Sequence, residues 1–210
     1  MPFAEAITDV DGLRRLYREP HELVLRKQID HVDAAARAFI AAAPFVVLAT
    51  ASDDGTDASP RGGHPGFVAV LDDTRLAMGD LAGNNRLDSH TNLLAHPRVG
   101  MLFLVPGVDE TLRVNGRATL TTDPAVLDAV AIDGRAPRLA IGIDVEECFV
   151  HCAKAFRRSR LWDPSSWPGP EEQPSAACAL RDHLDLDVAP EVITADLEAG
   201  YTATMWEPGG

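Results

Sequence analysis

The sequence predicts a mainly β protein with added helices: an antiparallel barrel of about six strands, flanked by helical segments at both ends. Three observations point there. Short apolar runs rich in β-branched residues recur through the middle of the chain. Turn signals separate them at hairpin spacing, among them Ser52-Asp53-Asp54-Gly55, Asp72-Asp73 and Pro106-Gly107. Both ends of the chain switch to helical patterning punctuated by proline.

In chain order, residues 9–43 read as helical pieces. Leu13, Leu16 and Tyr17 follow the caps Thr8 and Asp9 at helical spacing, and Pro20 opens a second piece with Leu23 and Val24. A third runs from about His31 through an alanine-rich stretch to Pro44, which cannot continue a helix. Phe45 to Ala51 is a continuous apolar run, a buried strand, with Thr56 to Ser59 returning as its partner. Phe67 to Leu71 and Arg75 to Met78 form a hairpin about Asp72-Asp73. Asn85 to His96 fits a helix with Leu87 and Leu94 on one face, Gly83 or Asn84 as cap, and Pro97 as its stop. Val99 to Val105 and Thr111 to Thr121 are further strands, Gly116 marking a bulge or a close approach. Asp123-Pro124 opens a short helix through Ala131, and Leu139 to Lys154 is the last long strand. Beyond Trp162 the run DPSSWPGPEEQPS is irregular. Amphipathic pieces follow at Ala176 to Leu184 and Pro190 to Leu197, and the tail YTATMW is expected to add an edge strand or dock on a partner. The organisation expected is one domain over 1–210: a helical segment 1–43, a barrel core 44–163 and a helical extension 164–210.

Composition narrows the function. At 210 residues, 46% of them apolar, the chain can bury a sizeable core. A net charge of -13 argues against a sequence-independent grip on nucleic acid, so any anionic ligand must be held by a local cluster of positive charge. No apolar run approaches the roughly 18–20 residues of a membrane span. The N-terminal stretch lacks the basic start and apolar middle of a signal peptide. Three cysteines are too few for a disulfide framework. A cytoplasmic protein with neither nucleic acid nor membrane as partner is expected.

The first candidate site is a phosphate cluster. Ser59, Arg61 and Gly62 precede the hairpin, and a Gly/Asn-rich loop from Asp80 through Asn84 and Asn85 follows it and leads to Arg86. Arg86 falls in the first turn of the predicted helix, where free N–H groups and the helix dipole favour an anion. Arginine supplies a planar fork of donors and glycine lets backbone amides approach closely. The plainer alternative is an ordinary hairpin with solvated arginines at its ends. A second cluster, Cys148, His151 and Cys152, has metal-ligand chemistry. On a strand, however, Cys148 and Cys152 point away from the face His151 occupies, so a core role is expected and no metal. The third is the basic run Lys154, Arg157, Arg158 and Arg160 beside Trp162, either a solvated strand end or a contact to an anion or a partner subunit. His64, His90 and His96 lie near the phosphate cluster without a nucleophile at triad spacing. Of these only His64 is a candidate for acid–base work, against a structural role.

The order SPRGG, GFVAVLDD, GNNRLDSHTNLLAHPRVGMLFLVPG, TLRVNGRA and FVHCAKAFRRSRLW resembles the flavin-binding split-barrel proteins related to pyridoxamine 5′-phosphate oxidase, in particular a bacterial branch of uncharacterised members. The resemblance covers roughly residues 30–165. It implies a six-stranded split β-barrel that forms a homodimer, with flavin mononucleotide (FMN) in two clefts at the subunit interface. By position it places Ser59, Arg61 and Gly62 on the strand lining the flavin and its phosphate. Met78, Gly79 and Asp80 fall at the ring edge, and Asn84, Asn85 and Arg86 at the phosphate loop. Lys154, Arg158 and Trp162 fall on a late segment reaching the cofactor from the other subunit. The vitamin enzyme's arginine-and-lysine strand motif is replaced here by SPRGG and its C-terminal substrate signature is missing, which sets oxidation of pyridoxamine phosphate in doubt. The function implied is an FMN-dependent oxidoreductase acting on a small organic substrate, with NAD(P)H as a candidate electron donor and no catalytic residue assigned. The alternatives are a deazaflavin-dependent reductase on the same barrel and a non-catalytic flavin or haem carrier or sensor.

Overall fold

The structure is a computed structural model and describes residues 3–209. Its centre is one antiparallel sheet of seven strands. They are β1 (Phe45–Ser52), β2 (Gly55–Gly62), β3 (Val68–Val70), β4 (Arg75–Gly79), β5 (Arg98–Leu104), β6 (Thr111–Thr121) and β7 (Ala140–His151). The spatial order is β2-β1-β5-β6-β7-β4-β3. The sheet curls until the β2 edge meets the end of β4, where Arg61 and Asp80 approach to 3.6 Å. This is the expected split barrel; its seven strands correspond to the seven stretches expected along the chain, one more than the count of about six, and β3 pairs β4 as the expected hairpin through Val68↔Met78.

Alternation along the strands fills the interior. Val46 and Leu48 of β1, Met101 and Phe103 of β5, Leu112 and Val114 of β6, and Ile141 and Ile143 of β7 are all buried. Each such side chain is worth about 1.5–3 kcal/mol relative to exposure, so the period-two pattern sets the register. α3 (Ala34–Ala42), capped by Asp33 accepting from the Ala36 N–H, adds Ala36 and Ile40 to the same core. The predicted irregularity at Gly116 is a bulge in the β6–β7 ladder: Asn115 faces Glu147 while Gly116 faces Val145. A side chain at Gly116 would collide with the Asp144 carbonyl oxygen, so glycine is required there.

Four element boundaries differ from expectation. α4 runs Asp88–Ala95 and does not start at Asn85. β7 ends at His151, where its partner β6 begins (Thr111↔His151), and the chain turns into α6 (Lys154–Ser159), so Lys154 is helical. α5 (Pro124–Ala129) stops two residues early. α8 (Pro190–Thr204) follows α7 (Ala176–Leu184) and runs seven residues beyond Leu197. At the N-terminal end, α1 (Val10–Arg14) and α2 (Glu22–Arg26) bury none of their residues. Among the described residues no helix is long and apolar enough to cross a membrane.

Candidate functional site

β2 is an edge strand, and on it Asp57, Ser59 and Arg61 stand two residues apart, hence on one face. α4 packs against that face. It is held there by Asn92 Nδ2 donating to Thr50 Oγ1 at 3.1 Å and by His96 Nε2 lying 3.1 Å from Asp53 Oδ1. This presents Ser89 and His90, both buried, to the strand. Ser89 Oγ donates to Asp57 Oδ2 at 2.6 Å. Its single proton is thereby committed, so Ser59 Oγ, 3.0 Å away, is the donor to Ser89, and Arg61 Nη2 donates to the same oxygen at 3.1 Å.

Asp80, at the end of β4, is the ionic centre. Its Oδ1 lies 3.6 Å from Arg61 Nη1 and 3.4 Å from His90 Nε2. Both contacts are too long for strong charge-assisted hydrogen bonds. Arg61 Nε and both ring nitrogens of His90 are buried without a hydrogen-bond partner, and the His90 side chain is only 8% exposed. Buried polar atoms are normally satisfied. Three unsatisfied ones on the wall of one cleft are the chemistry of a site that receives a ligand with polar oxygens.

That cleft has a volume of about 170 Å³ between β2, the loop after β4 and the start of α4; both Arg61 and Arg86 line it. The loop explains why Arg86 is not in a helical first turn. Asn85 and Leu87 take left-handed φ of 55° and 60°, which a right-handed helix cannot propagate. Asn84 Oδ1 instead accepts the Arg86 N–H at 3.1 Å and closes a local turn. The expected caps Gly83 and Asn84 therefore do not cap; Leu87 does, without a side-chain bond. Arg86 stays 71% exposed and its Nε donates to Asp88 Oδ2 at 2.7 Å, which holds the guanidinium even more firmly protonated. The cleft is consequently charge-paired rather than simply positive: Arg61, Arg86 and His90 face Asp57, Asp80 and Asp88.

A second chamber, of about 230 Å³, adjoins the first through Arg61, Leu81 and Gly83. Gly62, Phe67, Met78, Gly79 and Met205 also line it, and its exposed wall is more polar than apolar. Each of these two volumes is below the roughly 300–1,000 Å³ usual for a small-molecule site. The chain's tail also arrives here. Ala82 N–H donates to Glu207 O at 2.9 Å and Gly209 N–H to Asp80 O at 3.1 Å, a bridge pairing Leu81 with Pro208. Of the tail expected as an edge strand or a partner contact, Tyr201–Thr204 are the last turn of α8, and the residues after Trp206 bond their own chain. His64 lies with its ring stacked on Trp206, centroids 4.4 Å apart, outside both hollows.

The predicted residues Ser59, Arg61, Asp80, Asn84, Asn85 and Arg86 share the first cleft, and Gly62, Met78 and Gly79 the second. Lys154, Arg158 and Trp162 line neither. Trp162 stacks on Phe156 and donates to Val108 O at 2.9 Å, while Lys154 and Arg158 are exposed on α6. Cys148 is buried on the core side of β7, and Cys152 is exposed beyond the strand's end. Sequence reasoning missed Asp57 and Ser89. The period-two spacing of Asp57 with Ser59 and Arg61 was the signal that could have found the first.

Three solved structures resemble the chain at low identity. HupZ of Group A Streptococcus is 15% identical, aligned over 57% of this chain and 93% of that one, with a TM-score of 0.47. General stress protein 26 of Bacillus anthracis str. Sterne is 15% identical over 54% and 88%, TM-score 0.42. An FMN-binding protein of Syntrophomonas wolfei subsp. wolfei is 12% identical over 56% and 84%, TM-score 0.43. Among curated proteins none matches the chain. The pyridoxamine 5′-phosphate oxidase family model matches residues 32–152, from the residue before the α3 cap to the end of β7. That span is more than half of the sequence and contains every residue of the first cleft, so the chain belongs to the pyridoxamine 5′-phosphate oxidase family.

Proposed function

We propose that the chain binds FMN in a homodimer and acts in the cytoplasm as an oxidoreductase on a small organic substrate, with NAD(P)H as electron donor. The observation that carries this reading is the set of unspent polar atoms, Arg61 Nε and the two His90 ring nitrogens, beside a second chamber to which Phe67, Met78 and Met205 bring apolar side chains. Such a pairing suits a ligand with an anionic tail and a flat ring. Arg61, Ser59 and the amides of Asn84 and Asn85 would hold the phosphate, with Arg86 closing over it from the loop. Arg61 and His90, held only at 3.6 and 3.4 Å from Asp80, would be the groups to turn their unpaired nitrogens to the phosphate. Gly62, Phe67, Met78 and Gly79 would exclude water from the ring. FMN, when bound, supplies a ring that accepts and returns a hydride or electrons. A second copy completes the site, and Lys154, Arg158 and Trp162 of α6 and the residues after it are the segment proposed to reach it. The tail and the outer helices are read as parts of one domain, not as a second one.

The test is to identify by mass any cofactor extracted from freshly purified protein, then to titrate the emptied protein with FMN and with riboflavin, which lacks the phosphate. FMN should bind at least about 100-fold more tightly, the equivalent of roughly 2.8 kcal/mol from the phosphate contacts. Equal affinity would remove the phosphate assignment, and no uptake of either would remove the flavin reading. Preference for a deazaflavin would transfer the proposal to that cofactor.

A further inference from the structure

We infer that the C-terminal segment Met205–Gly209 is a built wall of the ligand site, a strap that encloses the flat-ring end and is linked to the anionic end through Asp80. The inference rests on the FMN reading above and adds a part of the site to it. Met205 leaves the end of α8 and lines the second chamber together with Phe67, Met78 and Gly79. Trp206 is turned the other way and stacks on His64 at an interplanar angle of 11°, which anchors the strap to the loop ahead of β3. Glu207 and Gly209 bond the backbone of Ala82 and Asp80.

Gly209 is the informative position. It is buried, and an added Cβ would run into the Asp80 carboxylate, its nearest atom being Oδ2. The other oxygen of that carboxylate faces Arg61 and His90. The strap therefore packs on one side of the group whose opposite side faces Arg61 and His90, with their unpaired nitrogens. A strap that detaches frees Asp80 to move, and a ligand that recruits Arg61 and His90 moves Asp80 in turn. Among the described residues the strap is tied by two backbone hydrogen bonds, one ring stack and the exposed ion pair Arg135–Glu207 at 3.1 Å, and Trp206 and Pro208 lie beside Val130, Ile132 and Pro137. Exposed pairs of that kind contribute little. A strap held this lightly opens without unfolding the barrel, and ligand and strap stabilise each other by linkage.

The experiment uses FMN as probe on the full chain and three variants: Trp206→Ala, His64→Ala and a chain ending at Thr204. Neither Trp206 nor His64 lines the cleft or the second chamber. FMN release is followed by recovery of flavin fluorescence, and hydrogen exchange is read at 80–82 and 205–209 with and without FMN. In the unaltered chain FMN should slow exchange in both stretches together. Both ring-stack variants should release FMN about fivefold faster, the equivalent of one lost aromatic stack, and the shortened chain faster still. Exchange of the β5–β6 amides, unchanged in all four proteins, verifies that the barrel is intact. FMN retained at the same rate by all three variants, or slowed exchange at 80–82 without any at 205–209, overturns the strap and leaves the FMN reading standing. No uptake of FMN by the unaltered chain overturns both.

Discussion

Two arginine clusters of similar appearance in the sequence end in opposite states. Arg160, in the late segment, has two nitrogens of its guanidinium engaged: Nη2 lies 2.6 Å from Asp163 Oδ2 and 3.0 Å from Ser165 Oγ, and Nε donates to the same carboxylate at 3.1 Å. Its neighbour Arg157 is paired with Asp109 at 3.0 Å. Arg61, in the cleft, is more deeply buried yet keeps Nε unsatisfied and stands 3.6 Å from its carboxylate. The denser run of positive charge belongs to the late segment. The unspent donors belong to the cleft. Density of charge along a chain does not locate a ligand site; donors that folding buries and leaves unpaired do.

Removing each arginine breaks or sharpens this contrast most strongly. Arg61→Ala should weaken FMN binding by about 100-fold, the usual scale for a charge-assisted contact to phosphate, whereas Arg160→Ala should leave it within about twofold. Equal losses in a binding titration would erase the distinction. Charge reversal at the exposed Arg86 (Arg86→Glu) should also abolish retention of the cofactor through purification, and unchanged occupancy would count against its phosphate role.

A smaller effect, with two signs, is expected at His90. His90→Leu replaces a buried ring that makes no hydrogen bond with an apolar side chain, so the empty protein should be no less stable and more stable by up to about 1 kcal/mol. FMN affinity should fall by about tenfold in the same variant. A loss of stability in thermal melts without a loss of affinity would make His90 a structural residue.

The satisfied cluster makes a prediction of its own in acid. Hydrogen bonds from Ser165, then from Arg160, hold the Asp163 carboxyl down at about 2. A carboxyl depressed in the folded state stabilises it fully above the unfolded value of about 3.9 and loses that contribution as pH falls toward 2. The carbon resonance of Asp163 should therefore titrate near 2, and Arg160→Ala should move it upward. An ordinary aspartate midpoint in the unaltered protein would show that the pair does not persist in solution. The smallest effect concerns two thiols four residues apart. Burial pushes Cys148 up to about 11, while Cys152 is exposed. At pH 8 a maleimide should modify Cys152 quickly and Cys148 only on unfolding. Mass mapping that found equal rates would place Cys148 outside the core.

Much of this was legible in the residues. The apolar runs, the DD, PG and SDDG turns and Gly116 located the strands of the sheet and the bulge, because period-two burial and turn chemistry are local properties. Arg61, Ser59 and the Asn84–Arg86 loop were read as an anion site from their neighbours in sequence, and the fold brings them to one cleft. The start of α4 was missed by three residues. Asn85 and Leu87 adopt left-handed conformations that a leucine in particular does not announce. Asp57 and Ser89 were missed because they come from separate elements, 32 residues apart.

By itself, then, the sequence determined which segments are strands and helices, which faces are apolar, and the family to which the chain belongs, since each follows from neighbours within a turn or a hairpin. Tertiary structure alone decided that the β2 edge closes onto the end of β4, that His90 is buried unpaired beside Asp80, and that a tail from α8 returns to line the second chamber. Those contacts join residues far apart along the chain. Their energy depends on burial and on which donors remain unsatisfied, quantities that exist only once the chain has folded.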